Sequence, residues 1–315
     1  MNIVILDTQT LANTPLEPLE RCGHLTTYNN TQEQDVVTRC RDADVVISNK
    51  VVLSANTLSQ LPKLKLICVA ATGTNNIDLV AAKELNIAVT NVAGYSTPSV
   101  VQHTFTLLGN LLGNVHRYVQ DCHQGLWQKS DMFCRLDYPI NEIAGKRFVI
   151  VGYGALGQAV AKVAQAFGAQ ILIAEQRGSK TVRAGRVPFE QAIKQADIIS
   201  IHCPLTKQTR NLFDEKEFAT LKPNCVLLNT ARGGIVNEAA LVKALTKHQL
   251  AGAAVDVLSQ EPAQSDNPLL SYRASNLIIT PHIAWASKES IARLVQSIAD
   301  NIQSFNRGEQ LNRVN

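Results

Sequence analysis

Short runs of apolar, β-branched residues recur along most of the chain, and helical stretches separate them. Nine such runs predict strands: Ile3–Leu6, Val45–Ser48, Leu66–Val69, Phe148–Val151, Ile171–Ala174, Ile198–Ile201, Val226–Asn229, Ala253–Val255 and Leu277–Thr280. Runs that are apolar almost throughout are typical of parallel sheets whose two faces are both covered by helices. The pattern therefore predicts an α/β protein built from doubly wound parallel sheets.

The longest helical signal begins at Thr97-Pro98 and is predicted to continue to about Cys122. Threonine suits the N-cap and proline suits the first helical position. An aperiodic stretch, residues 125–146, separates this helix from the next strand, and a last helix is expected from about Ser287 to Phe305.

The chain has 315 residues, and a prior of roughly 150 residues per domain suggests two domains. We predict a first domain formed by residues 1–97 with 283–315, and a second formed by residues 98–282.

Composition narrows the possible partners. The net charge of +4 is small and no basic cluster is present, so nucleic acid is not an expected partner. No apolar run approaches the roughly 20 residues that span a bilayer. The N-terminus reaches Asp7 before an apolar signal region could form, and the seven cysteines include no C-x-x-C pair. We expect a cytoplasmic protein whose partners are small molecules.

A glycine-rich turn lies between the strand at Phe148–Val151 and a helix that is predicted to end near Phe167. Its sequence is Gly152-Tyr153-Gly154-Ala155-Leu156-Gly157. In a dinucleotide site the first glycine permits the tight turn, the second lets the backbone approach the pyrophosphate, and the third allows close helix–strand packing. The alternative is a set of plain turn glycines.

Glu175 ends the next strand, eighteen residues beyond Gly157. This is the expected place for a carboxylate that hydrogen-bonds a ribose diol and repels a 2′-phosphate, which favours NAD over NADP. Arg177 lies two residues further on and could soften that preference. The alternative for Glu175 is a surface glutamate.

Three later segments combine charge with tight turns, and each follows a predicted strand. They are Asn229-Thr230-Ala231-Arg232-Gly233-Gly234, Asp256-Val257-Leu258-Ser259-Gln260-Glu261-Pro262 and Thr280-Pro281-His282-Ile283-Ala284-Trp285. Reduction of a 2-keto acid needs a cation for the carboxylate, which suits Arg232, and a proton donor, which suits His282. Glu261 would orient the imidazole and hold it protonated. Taken singly, each of these residues also has an ordinary structural explanation.

In this order and spacing, these segments resemble the NAD-dependent D-2-hydroxyacid dehydrogenase family. The likeness extends to A-A-T-G-T-N-N-I-D at 70–78 and G-Y-S-T-P-S-V-V-Q-H-T-F at 94–105, and it covers nearly the whole chain. The glycerate dehydrogenase (hydroxypyruvate reductase) branch is the most similar. The resemblance implies a flavodoxin-like substrate domain and a Rossmann dinucleotide-binding domain with a cleft between them.

The resemblance also implies roles for individual residues. The catalytic residues would be Arg232, Glu261 and His282. Substrate contacts would come from Thr72, Gly73, Thr74, Arg232, His282 and Trp285, although Trp285 fits a core aromatic equally well. Cofactor contacts would come from Val100, Gly152, Gly154, Ala155, Leu156, Gly157, Glu175, Cys203, Pro204, Thr230, Ala231, Arg232, Asp256 and His282. The His and Cys spacings predict no metal site.

The expected activity is reduction of a small 2-keto acid, hydroxypyruvate or glyoxylate, with NADH, and the reverse reaction. Another D-2-hydroxyacid dehydrogenase, such as a phosphoglycerate dehydrogenase, remains an alternative. Formate oxidation is disfavoured because those relatives carry Gln where Glu261 stands, and phosphite oxidation because they carry Lys near Thr72. From another class, an NADH-sensing co-repressor-like binding protein would share the fold.

A homodimer is also expected. The stretch from Gly125 to Asn141 carries apolar side chains on a segment that lacks a core of its own. These side chains are Leu126, Trp127, Met132, Phe133 and Tyr138.

Overall fold

The computed structural model describes residues 1–315. Its strands are β1 Asn2–Ile5, β2 His24–Thr27, β3 Val45–Ser48, β4 Leu66–Val69, β5 Ala88–Thr90, β6 Arg147–Val151, β7 Gln170–Ala174, β8 Ile198–Ile201, β9 Val226–Asn229, β10 Gly252–Val255 and β11 Leu277–Ile279. Its helices are α1 Glu17–Glu20, α2 Val36–Cys40, α3 Ala55–Leu58, α4 Leu79–Glu84, α5 Thr97–Gly113, α6 Val115–His123, α7 Ala155–Ala166, α8 Phe189–Gln195, α9 Glu215–Phe218, α10 Glu238–Thr246, α11 Pro268–Ser271 and α12 Lys288–Asn306.

The chain divides into two compact units. The first comprises Met1–Pro98 and Trp285–Asn315, and the second comprises Ser99–Ala284.

The first unit contains a five-stranded parallel sheet in the order β2-β1-β3-β4-β5. This is the flavodoxin-like order of a doubly wound sheet. Its two faces are buried in separate cores. On one of them α12 packs its apolar side, including Leu294, Val295 and Ile298. The helix begins after Ser287, whose hydroxyl accepts the backbone N–H of Ser290 at 3.1 Å.

The second unit contains a six-stranded parallel sheet in the order β11-β10-β9-β8-β6-β7. An isolated parallel bridge joins Ala174, the end of β7, to Val187. With this bridge counted as a short third strand, the order is the 3-2-1-4-5-6 arrangement of a Rossmann domain, with β11 added as a seventh strand at the edge. In that arrangement ligands bind at the carboxyl ends of the strands, where the order reverses, and here that place lies between β6 and β8.

The predicted fold class is confirmed, and each of the nine predicted strands is present with ends within one residue. Two strands were missed. His24–Thr27 carries exposed and half-buried residues and no apolar run, and Ala88–Thr90 has only three residues. Both are edge strands of the first sheet. They are recognised as strands by their hydrogen bonds to the neighbouring strand, and they have no apolar pattern that would predict them.

The single helix predicted from Thr97 to about Cys122 is wrong. The structure divides it at Asn114, whose backbone is left-handed with φ of 51°. Asparagine adopts this conformation more readily than most residues. Its side-chain Nδ2 donates to the carbonyl oxygen of Pro139 at 2.8 Å, which holds the break in place.

No helix in the structure is both long enough and apolar enough to cross a membrane.

Candidate active site

The glycine-rich turn after β6 has the shape that a dinucleotide pyrophosphate requires. Gly152 has φ of +97°, and a Cβ there would stand 2.5 Å from the backbone nitrogen of Cys203. A Cβ on Gly157 would stand 2.1 Å from the carbonyl oxygen of Gly152. At Gly154 no atom lies within 4 Å of the Cβ position. The first and third positions therefore exclude any side chain, while the second leaves open space beside the backbone.

Helix α7 begins immediately after Gly154, so its first N–H groups, at Ala155, Leu156 and Gly157, have no intrahelical acceptor. These groups and the positive end of the helix dipole suit a phosphate. The residues present thus fit a bound dinucleotide.

Glu175 directly follows β7 and is almost fully buried. Arg183 forms two side-chain hydrogen bonds with its carboxylate, one through Nε at 2.8 Å and one through Nη2. The bonds from Arg183 and from the backbone N–H of Gln176 hold the pKa of Glu175 well below its usual range, despite its burial. The carboxylate is therefore ionised and already occupied by an arginine.

The other predicted cofactor residues lie at the same sheet edge or on helix α5. Cys203 and Pro204 follow β8 directly, and Thr230 follows β9. Thr230 Oγ1 lies 3.2 Å from Thr104 Oγ1 of α5, one turn beyond the buried Val100. Burial raises the pKa of the Cys203 thiol to about 11, which makes it a packing group and not a nucleophile at neutral pH.

Arg232 stands in a turn fixed from both sides by the buried Asn229 at the end of β9. The side chain of Asn229 accepts the N–H of Ala231 at 3.1 Å and donates to the carbonyl oxygen of Arg232 at 3.0 Å. A Cβ on the next residue, Gly233, would stand 1.7 Å from the carbonyl oxygen of Leu258. The backbone of the turn is therefore held tightly while the Arg232 side chain is exposed.

Glu261 and His282 form a direct pair. His282 Nδ1 lies 2.6 Å from Glu261 Oε2, and the carboxylate's other oxygen accepts the backbone N–H of Leu258 at 2.9 Å. Both side chains are about one-third exposed. An imidazole oriented by a carboxylate is the arrangement that a general acid–base pair requires.

The loop carrying His282 is held by the buried carboxylate of Asp256. Its two oxygens accept the backbone N–H groups of Ile283 at 2.9 Å and Ala284 at 2.8 Å, and also the hydroxyl of Thr280 at 2.6 Å. The backbone carbonyl of Asp256 accepts the N–H of His282 at 2.8 Å. His282 itself has φ of 55°, a conformation that its neighbours must maintain.

His103, on helix α5, joins this network. Its Nε2 lies 3.0 Å from Thr280 Oγ1 and 3.5 Å from Asp256 Oδ1. Burial raises the pKa of Asp256, but hydrogen bonds from His103, Thr280 and the loop backbone outweigh it, so the net pKa lies below its ordinary value. Asp256 is thus an ionised anchor beneath the His282 loop.

In the first unit, the loop after β4 offers backbone donors. The N–H groups of Thr72, Gly73 and Thr74 donate to no acceptor within the chain, while the Thr72 hydroxyl donates to the carbonyl oxygen of Val92 at 3.0 Å. Trp285 is half-buried, with its ring edge-on to Tyr95 at a centroid distance of 6.5 Å. The loop suits an anion, and Trp285 has a packing role in this unit.

The sequence did not identify Asn229 or Arg183 as site residues, and it did not identify the contact of His103 with Thr280 and Asp256. Asn229 could have been found, because asparagine at the end of a buried strand and before a tight turn commonly anchors that turn. Arg183 carried only a weak signal, the excess of basic residues after Glu175.

Comparison with known proteins now identifies the family. Residues 105–284 match the family model described as D-isomer specific 2-hydroxyacid dehydrogenase, NAD binding domain. The chain belongs to this family. It is an NAD-dependent oxidoreductase of the D-2-hydroxyacid dehydrogenase type, as the sequence predicted.

Two full-length relatives carry names from the predicted branch. A glycerate dehydrogenase of Methylorubrum extorquens is 40% identical, over 99% of this chain and 98% of that protein. A hydroxypyruvate reductase of Blautia hydrogenotrophica is 37% identical, over the whole length of both chains.

Among solved structures, a D-lactate dehydrogenase with NAD⁺ from Lactobacillus jensenii has a similar fold. Its TM-score is 0.81 at 27% identity, and the match covers 100% of this chain and 99% of that chain. NAD as the cofactor of this dehydrogenase agrees with the family model and with the glycine-rich turn described above.

Proposed function

We propose that this dehydrogenase reduces hydroxypyruvate to D-glycerate, and glyoxylate to glycolate, with NADH, and catalyses the reverse reactions. The observation that carries the proposal is the His282–Glu261 pair at the carboxyl edge of the sheet that bears the dinucleotide turn. The choice of substrate is supported by the names of the two full-length relatives.

In this proposal the chain's own residues handle the charges of the reaction. Arg232 grips the substrate carboxylate through its planar fork of donors and so orients the keto group. The cofactor, when bound, supplies the hydride. His282 donates a proton to the developing alkoxide, and because Nδ1 faces Glu261, the nitrogen that transfers this proton is Nε2.

Glu261 has two tasks toward His282. It accepts a hydrogen bond from His282 Nδ1, and its fixed position, held by the Leu258 N–H, sets the direction of the ring. The loop of the histidine is in turn fixed by Asp256, which we assign as a positioning residue in addition to its predicted cofactor contact.

The proposed cofactor site uses the residues predicted from the sequence. The glycine turn and the start of α7 take the pyrophosphate. Glu175, directly after β7, lies at the place of the adenosine ribose. The other members of the site are Val100, Cys203, Pro204, Thr230, Ala231, Arg232, Asp256 and His282. Thr72, Gly73, Thr74 and Trp285 stay predicted substrate contacts, supported for the first three by the unused backbone donors of their loop.

A substrate panel tests this function. Purified enzyme would be assayed with hydroxypyruvate, glyoxylate, pyruvate, phosphohydroxypyruvate and 2-ketoisocaproate, and we expect the highest kcat/KM with hydroxypyruvate. His282→Ala should lower that value by at least roughly 10²-fold, the usual contribution of general acid–base catalysis. A preference for phosphohydroxypyruvate would contradict the proposed substrate. NADH binding without turnover of any keto acid would instead favour a nucleotide-sensing binding protein.

We also propose that the enzyme is a homodimer that acts in the cytoplasm. The compartment is supported by seven cysteines that are all unpaired, as a reducing environment favours. The dimer is supported by the segment 125–141, where Trp127, Met132 and Phe133 are exposed. Exposed apolar surface of this kind commonly marks an interface.

A further inference from the structure

The carboxylate of Glu175 is saturated by donors from its own chain. Its Oε1 accepts the N–H of Gln176 at 2.8 Å and Nη2 of Arg183. Its Oε2 accepts the backbone N–H of Arg183 at 3.1 Å and Nε of the same side chain at 2.8 Å. A carboxylate has about four lone-pair sites. A ribose diol therefore meets no unused acceptor on Glu175 while Arg183 holds it.

The loop that follows Glu175 is strongly basic. Arg177, Lys180, Arg183 and Arg186 all lie within eleven residues of it. Arg186 Nη1 approaches Glu175 Oε1 to 3.8 Å, and Arg177 pairs with Glu217 at 2.9 Å. Arg183 is about half exposed although two of its nitrogens bind Glu175. The surroundings of the acid thus carry more positive than negative charge.

Exclusion of a 2′-phosphate by an acidic residue depends on an uncompensated negative charge. Here the negative charge is buried and paired in a bidentate manner with a guanidinium, whose outer face points toward solvent. A phosphate that approaches this place meets cations first, and guanidinium groups bind phosphate well.

We propose that Arg183 masks Glu175 and, with Arg186, makes the end of β7 a subsite for the 2′-phosphate of an adenosine, so that the enzyme binds NADPH as well as NADH. This inference rests on the dinucleotide site of the proposed function. It makes Arg183 a specificity-determining residue, although it stands eight positions beyond the acid that usually decides between the two cofactors.

Binding of adenosine fragments tests the subsite without turnover. Calorimetric titration would compare 5′-AMP with adenosine 2′,5′-bisphosphate (2′,5′-ADP), which differ only in the 2′-phosphate. For the wild type we expect the two Kd values to agree within about tenfold, because like-charge repulsion of several kcal/mol is absent. In Arg183→Ala, where the Glu175 carboxylate keeps its two backbone hydrogen bonds but loses the guanidinium, the ratio of the 2′,5′-ADP Kd to the 5′-AMP Kd should rise by at least about tenfold.

A second variant separates masking from simple loss of a cation. Glu175→Gln combined with Arg183→Ala removes the carboxylate charge as well, and should reverse most of the rise in the Kd ratio. Arg177→Ala is the matched control, since it removes a cation from the same loop whose partner is Glu217 and not Glu175. If Arg177→Ala raised the Kd ratio equally, the overall positive charge of the loop would be what determines the binding of the 2′-phosphate, and the specific role of Arg183 would be wrong.

Other outcomes separate this inference from the proposed function. If the wild type binds 5′-AMP but binds 2′,5′-ADP more than about 100-fold more weakly, the subsite is wrong while the dinucleotide site stands. If it binds neither fragment, the dinucleotide site fails and the subsite fails with it. The wild-type comparison decides these cases even if a variant does not fold.

Discussion

His282 Nδ1 lies 2.6 Å from Glu261 Oε2, while the other oxygen of Glu261 is held by the N–H of Leu258. The carboxylate is therefore fixed to the backbone before it orients the imidazole. Because the ring nitrogen that faces Glu261 is set in this way, its partner nitrogen, Nε2, is the proton donor in the proposed reaction. The Glu261 side chain therefore sets the orientation of the His282 ring, and a substitution at Glu261 can disturb that orientation.

Glu261→Gln should lower kcat/KM for hydroxypyruvate while NADH affinity changes little. The glutamine has nearly the same shape, but one of its two terminal atoms is an NH₂ group, so it can accept only one of the two hydrogen bonds that Glu261 forms with Leu258 and His282. The variant therefore loses either the bond that fixes the side chain or the bond that orients the imidazole. Equal kcat/KM values for the wild type and the variant would show that Glu261 does not position His282.

Arg232→Ala should weaken both substrate binding and turnover, because the charge-assisted bonds that hold the carboxylate also orient the carbonyl. A loss of roughly tenfold to 10²-fold in kcat/KM corresponds to the 1.5–3 kcal/mol typical of hydrogen bonds to charged groups. Arg232→Lys should recover only part of this loss, since lysine keeps the charge but not the planar fork. Full activity of the lysine variant would argue against bidentate binding.

The dinucleotide turn could be predicted from the sequence because its constraints are local. The backbone of Gly152 needs a positive φ, and Gly157 packs against the turn that precedes it, so spacing alone reveals both. The contact between Arg183 and Glu175 could not be predicted in this way. It depends on how an irregular loop returns over the end of β7, and no periodic pattern specifies that path.

The proposed catalytic residues could be predicted from the sequence in part. Arg232, Glu261 and His282 each follow a recognisable strand, so their placement at one sheet edge follows from parallel topology. The 2.6 Å approach of Glu261 to His282 does not follow from topology, because it also depends on the Asp256 anchor that sets the His282 loop.

Asp256→Asn should impair both the fold of the His282 loop and turnover. One carboxylate oxygen becomes an NH₂ group that faces a backbone donor, which leaves a buried donor without an acceptor. We expect the free energy of unfolding to fall by about 1–3 kcal/mol, as measured by urea denaturation. Asp266→Asn, in an exposed loop, is the matched control and should have little effect. Equal effects of the two substitutions would contradict the anchoring role.

His202 should make the stability of the protein depend on pH in the acidic range. Burial lowers its pKa to about 4, from the usual 6.5, and its Nδ1 is buried without a hydrogen-bond partner. Between these two values the unfolded state binds more protons than the folded state, so stability falls as the pH decreases from about 6.5 to 4. The unfolded state binds up to one more proton than the folded state at this residue. His202→Gln should therefore make Tm less dependent on pH between about 6.5 and 4.

The exposed His123 provides the matched control for that experiment, since His123→Gln removes a histidine that is already in water. Its Tm–pH curve should follow that of the wild type. If His202→Gln also follows the wild-type curve, the histidine is protonated in the folded protein near its ordinary pKa, and the expected burial effect is absent.

The segment 125–141 should form a dimer interface. Its polar groups bind back to α6, as Tyr138 Oη donates to Asp121 and Arg135 pairs with the same carboxylate at 3.1 Å. Leu126 and Tyr138 are half-buried, but Trp127, Met132 and Phe133 are exposed, Phe133 at 91%. Since the segment is tied down while its apolar surface stays in water, we expect a second copy of the chain to cover it.

Light scattering at micromolar concentration should give twice the chain mass of 34.3 kDa. Phe133→Glu should shift the equilibrium toward monomer, whereas Phe167→Glu, at an exposed phenylalanine at the end of α7, should leave it unchanged. A wild-type mass equal to one chain would contradict the interface.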